Sequence, residues 1–119
     1  MKLKKLINYT RRMLHKEDYF HLPHRVSDKL NIDYPLNYYF DFRPKINYNG
    51  KFDSKGVILV FDYDEDDWVY FPISIFNYGM AAVQHFIETK DAKYRRIFLS
   101  QADWAVASQK NGDAAGAWQ

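Results

Sequence analysis

Pro72 is the residue that most limits how this chain can fold. It fixes its own φ, lacks an N–H and drives Phe71 toward extended backbone, so it fits the first turn of a helix and little else. Ahead of it, Trp68-Val69-Tyr70-Phe71 is β-prone. Behind it, Ile75, Tyr78, Gly79, Ala82, Val83, Phe86 and Ile87 recur at the three-and-four spacing of one helical face. A strand therefore ends near Phe71 and a helix begins at Pro72. The other face of that helix, with Ser74, Asn77, Ala81, Gln84 and Glu88, is only mildly polar, the pattern of a helix lining a polar cleft. Gly79 costs about 1 kcal/mol relative to Ala in such a helix, which implies close packing or close approach of a ligand.

Upstream, residues 36–42 are aromatic and β-prone, and Lys45 to Tyr48 read as a continuation beyond Pro44. Asn49-Gly50 and Ser54-Lys55-Gly56 are turn signals, and Val57-Ile58-Leu59-Val60-Phe61 is the clearest strand. The acidic run 62–67 does not match a calcium loop, because an EF-hand started at Asp62 needs Gly where Asp67 stands and Glu where Ile73 stands. It reads as a solvated turn.

Downstream, Thr89-Lys90-Asp91 is a short connection with Asp91 as N-cap to a second helix. That helix has Tyr94, Ile97, Phe98, Gln101, Trp104, Ala105 and Ser108 on one face, and Asn111-Gly112 signals its end. The two helices make an αα-hairpin apolar enough to want neighbours on more than one side. At the other end of the chain, residues 2–15 form a basic amphipathic helix, with Leu3, Leu6, Ile7 and Leu14 among lysines and arginines. The expected fold is α+β: residues 1–35 as basic helix and extended loop, 36–71 as a small antiparallel β-hairpin region, and 72–119 as the αα-hairpin.

Composition narrows the function. Of 119 residues, 18% are aromatic, ten of them tyrosines, more than a core alone requires and suited to amphipathic ligands such as sugar rings. With no cysteine there is no disulfide or thiolate metal site. His15, His21 and His24 lack the carboxylate company and helical spacing of a zinc site, so no metal is expected. The net charge of +2 does not argue for nucleic acid. Its distribution is uneven, with twelve basic and six acidic residues in 1–61 against five and nine in 62–119. The basic start is broken at Asn8 and Arg11 and is followed by no cleavage site, and no run of about 20 apolar residues occurs, so a cytoplasmic chain without a transmembrane segment is expected.

The run Tyr70-Phe71-Pro72-Ile73-Ser74-Ile75-Phe76-Asn77-Tyr78-Gly79-Met80, followed by Glu88-Thr89-Lys90-Asp91-Ala92-Lys93-Tyr94 and by Gln101-Ala102-Asp103-Trp104, resembles the D-glucuronyl C5-epimerase family. The resemblance covers roughly residues 38–118, with Phe71, Asn77 and Met80 departing mildly from the family's Tyr, Gln and Leu. It implies that the hairpin is the first repeat of an α/α toroid, and that the chain is an N-terminal portion whose catalytic tyrosines and acids lie in later hairpins. The implied chemistry is inversion at C5 of glucuronic acid in a heparosan-type polysaccharide, by proton removal and return on opposite faces of the ring, with no cofactor. By their match to the motif Asn77 and Tyr78 are expected to line the substrate cleft, with Gln84 added from helical phase; no catalytic residue is assigned. The alternatives are a noncatalytic module that binds acidic glycan, an unrelated toroid enzyme such as a lyase or sugar 2-epimerase, and, for the exposed helical faces, a homo-oligomer.

Overall fold

The computed structural model describes residues 2–15, 19, 22–23, 25–26 and 40–118. Helix α1 spans Lys2–Leu14; β1 (Arg25–Val26) pairs antiparallel with β2 (Phe40–Asp41). A 3-10 turn over Arg43–Asn47 leads to an antiparallel sheet of β3 (Lys51–Phe52), β4 (Ile58–Asp62) and β5 (Asp67–Val69), in that spatial order. Helices α2 (Pro72–Thr89) and α3 (Ala92–Ala107) complete the chain, with a last 3-10 turn at Gly112–Ala114. The architecture is thus α+β: an N-terminal helix, a small antiparallel sheet and an αα-hairpin. His21, His24, most of the extended loop expected up to residue 35, and residues 36–39 of the β-prone stretch lie outside the described residues.

Pro72 acts as its chemistry requires. Phe71 is the extended N-cap residue, with φ −120° and ψ 108°, and its carbonyl accepts from Ile75 N at 3.0 Å. Asp91 caps α3 by accepting from Lys93 N at 3.0 Å. Gly79 lets the two helices approach: a Cβ there would lie 3.3 Å from Gln101 Cβ. Two readings of the sequence need correction. Residues 45–48 do not continue a strand, because Pro44 sets the helical φ that starts the 3-10 turn. And α3 stops at Ala107, four residues before Asn111, while Gly112, at φ +69°, opens the final turn instead.

The core lies between the sheet and the hairpin. Tyr19, Tyr48, Val57, Ile58, Ile75 and Tyr78 form its buried centre, with Leu22, Ile46, Val60, Ile97 and Trp104 around it. Two of its tyrosines satisfy their polar ends on backbone: Tyr19 donates to the Ser74 carbonyl at 3.0 Å, and Tyr48 to that of Leu59 at 2.6 Å. Burial pushes the pKa of both the Tyr19 and the Tyr78 phenol up. Part of the aromatic excess is therefore structural.

Two buried glutamines tie the hairpin to what lies in front of it. Gln84 accepts from Phe42 N and donates to Phe40 O, both at 2.7 Å. Gln101 accepts from Ile58 N at 3.3 Å and donates to Gly56 O at 2.9 Å. In each case the side-chain amide meets the N–H of residue i and the C=O of residue i−2, the pair of groups that a neighbouring strand would meet. On the mildly polar face of α2, Ser74, Ala81 and Gln84 are buried, Asn77 is half-buried and Glu88 is exposed.

Candidate functional site

Alternation along β4 divides its side chains. Ile58 and Val60 join the core, and the register sets Lys51 opposite Leu59 and Trp68 opposite Phe61 on the face turned away from it. Phe61 meets Trp68 edge-on with ring centroids 5.5 Å apart, and Tyr63 meets Phe61 the same way at 5.0 Å. Helix α1 crosses the end of this face. Its polar side is fastened to the acidic β4–β5 turn, Lys4 Nζ donating to Asp64 O at 3.1 Å, Asn8 Nδ2 to Asp64 Oδ1 at 2.8 Å, and Arg11 pairing with Asp66 at 3.3 Å. The turn is itself built by its acids: Asp62 Oδ1 accepts from Asp64 N at 2.8 Å.

Between α1 and the sheet lies a cavity of about 560 Å³ with Arg11, His15, Lys51, Tyr63 and Trp68 among its walls and Tyr48 and Gly50 closing one end. Any Cβ on Gly50 would run into the Tyr48 ring, so this corner requires glycine. The cations are held against aromatic faces. The Arg11 guanidinium lies 5.5 Å from the Tyr63 centroid, and Lys51 Nζ lies 5.4 Å from that of Trp68. No carboxylate lines the cavity among the described residues. Flat apolar faces beside cationic donors suit an amphipathic anion, such as a ring that stacks on Trp68 or Tyr63 while its carboxylate meets Arg11 and Lys51.

A second cleft of about 630 Å³ lies where the end of β5 meets α3. Tyr70 stacks on Trp104 at 5.6 Å, with Asp103, Asp53 and Lys55 nearby. Two carboxylates against one lysine make it a poor receptor for a polyanion. Asp53 is occupied structurally: it accepts from Lys55 N, Val57 N and the Tyr70 hydroxyl, at 2.8, 2.9 and 2.8 Å. Desolvation pushes its pKa up, but the hydrogen bonds from Val57, Tyr70 and Lys55 outweigh it and hold the carboxyl below the usual range.

Asn77 and Tyr78, expected from the motif, and Gln84, expected from helical phase, lie apart from the cavity between α1 and the sheet. Tyr78 is 5% exposed and packs in the core, its ring 5.8 Å from Phe52. Gln84, 2% exposed, is engaged with the backbone of Phe40 and Phe42. Asn77 is half-buried on α2. None of the three lines the cavity between α1 and the sheet. Nor does the sequence mark Arg11, Lys51, Tyr63 or Trp68 as site residues, and it names His15 only among histidines that lack the company of a zinc site; the available signals were the unbroken apolar run of β4, which leaves apolar side chains on both faces, and the basic excess of the first half. Among the described residues no three His, Cys, Asp or Glu side chains group so as to hold a metal, and no helix is long and apolar enough to cross a membrane. Compared with protein-family models, curated proteins and solved structures, the chain gives no match.

Proposed function

We propose that this chain binds an acidic, uronate-containing polysaccharide in the cavity between α1 and the sheet. The observation that carries the reading is that Lys51 and Arg11, the latter also paired with Asp66 outside the cavity, sit over the rings of Trp68 and Tyr63 in a cavity whose described walls hold no carboxylate. Binding needs no proton-transfer pair, so the noncatalytic grip is the reading this geometry supports best. The test is calorimetric titration with heparosan oligosaccharides and with a neutral oligosaccharide of equal length. Arg11→Gln and Lys51→Gln should each weaken binding of the acidic ligand roughly five- to tenfold, the worth of one charge-assisted hydrogen bond at a half-exposed site. Affinity should fall with salt. Wild-type affinity in both variants, or equal affinity for the neutral ligand, would overturn the reading.

The run from Tyr70 to Met80 favours a second reading, in which the chain is part of a uronyl C5-epimerase and the hairpin is the first of several. Ile73 and Val106, both exposed on the hairpin, suit further helices or a second copy packing there. In this reading a base takes the C5 proton α to the carboxylate and an acid returns one to the opposite face. Deuterium incorporation at C5 of the polymer in heavy water, by this chain alone or with a partner supplying the remaining helices, is the discriminating result. Binding without exchange would leave the grip as the function. A cytoplasmic location belongs to the same proposal.

A further inference from the structure

Helix α1 is amphipathic, yet it docks by its polar side. Lys4, Asn8 and Arg11 face the acidic turn, which turns the apolar side outward. Leu3, Leu6, Ile7, Met13 and Leu14 are 70, 63, 50, 63 and 76% exposed, and no residue of the helix is buried. On a helical projection these side chains, with Tyr9 and Thr10, fill one continuous arc, broken only by Lys2. Lys5 and Arg12 border one edge of the arc and Lys4 and Arg11 the other. The helix contains no acidic residue.

From this arrangement we infer that α1 is a docking surface for an anionic lipid bilayer, lying in the plane of the headgroups. Lys2 within the arc and Lys5 at its edge supply the cations that match a negative surface, their long side chains keeping the charge at headgroup level, while Lys4, Arg11 and Arg12 are turned to the acidic turn and to Tyr63. A second copy of the helix is a poor occupant, since it would bring its own Lys2 and Lys5 to an arc that already carries this pair and no acidic residue. The acidic turn stands behind the helix, where it fastens α1 to the sheet and stays away from the lipid. Because the cavity opens between α1 and the sheet, a membrane-bound chain would hold a polymer ligand close to the bilayer.

The experiment is co-sedimentation of the full chain with vesicles of phosphatidylcholine alone and of phosphatidylcholine with phosphatidylserine. The chain should pellet with the anionic vesicles, and the combined Lys2→Gln and Lys5→Gln variant should bind roughly twenty-five-fold more weakly, from about a fivefold loss per lysine. Leu6→Glu should abolish binding while leaving the unfolding midpoint unchanged, because position 6 is exposed. Equal binding to neutral vesicles, or binding by Leu6→Glu at wild-type strength, would overturn the inference. So would a self-associated chain that Leu6→Glu dissociates and that binds no vesicles, since a second copy would then cover the arc.

Discussion

Replacing Gln101 by Leu keeps much of the volume and removes the amide, so it isolates what the clamp on β4 contributes. Three backbone groups lose a partner, but they do not lose equally. Ile58 is fully buried, and its N–H cannot reach water, which costs about 2 kcal/mol. Gly56 is exposed, so its carbonyl is rehydrated at a cost of a few tenths of a kcal/mol. The Ile97 carbonyl keeps its helical bond from the Gln101 backbone and loses little. The expected destabilisation is therefore about 2–3 kcal/mol, a large share of the 5–15 kcal/mol typical of one domain. Urea unfolding should show a lower midpoint at unchanged slope. Gln84→Leu should cost at least as much, because both its bonds are 2.7 Å and Phe42 is buried. Gln101→Glu keeps the acceptor for Ile58 N but sets a carboxylate against the Gly56 carbonyl, so at neutral pH it should be worse than Leu. A shift below about 0.5 kcal/mol in Gln101→Leu would refute the reasoning, because it would mean that Ile58 N finds another partner at no cost.

Gly79→Ala gains about 1 kcal/mol of helix propensity, but the new Cβ would lie 3.3 Å from Gln101 Cβ, and Gln101 is held by its hydrogen bonds. A net loss of about 1 kcal/mol is expected in thermal unfolding; a gain would show that the helices can part. Asp53 has a folded pKa below its ordinary 3.8, so its contribution is present above that pH and is lost as pH falls through the folded value. Asp53→Asn should lower stability at neutral pH by about 1–2 kcal/mol and flatten the acid limb of the stability profile, as followed by urea midpoints from neutral pH down to strong acid. Lys90 ends α2 in the left-handed region at φ 57°, so Lys90→Gly should stabilise by up to about 1 kcal/mol, read as a raised melting temperature.

The elements most legible in the sequence were those set by one residue's covalent chemistry or by a long period. Pro72 marks the change from strand to helix, Asp91 caps α3, and the apolar spacing of α2 and α3 makes the hairpin. Short-range signals were weaker where two compete. Pro44 reads as an interruption of a strand but instead starts a 3-10 turn, and Gly112 lies beyond the end of α3, which closes at Ser108 without glycine. The cavity was less legible because its walls are far apart in sequence. Arg11, Lys51 and Trp68 are brought together by the β3–β4–β5 register and by the fastening of α1 to the turn, neither of which local pattern encodes. The acidic run proved to be the anchor point of α1, a role that depends on a helix some fifty residues away.

The glutamine clamps also bear on where a ligand can sit. A helix face carrying Ser74, Asn77 and Gln84 reads as a cleft wall only if those side chains are free to turn toward a ligand, and Gln84 is not. To open that face the chain would have to release Phe40 and Phe42 from Gln84, exposing two backbone groups and the buried Phe42 ring at a cost of several kcal/mol, more than a weakly held sugar ring returns. The far face of the sheet needs no such rearrangement, since Trp68, Lys51 and Arg11 of α1 already border open space. Gln84→Leu separates the alternatives: a ligand on α2 predicts lost affinity, whereas a ligand on the sheet predicts lost stability with affinity intact in the fraction that remains folded.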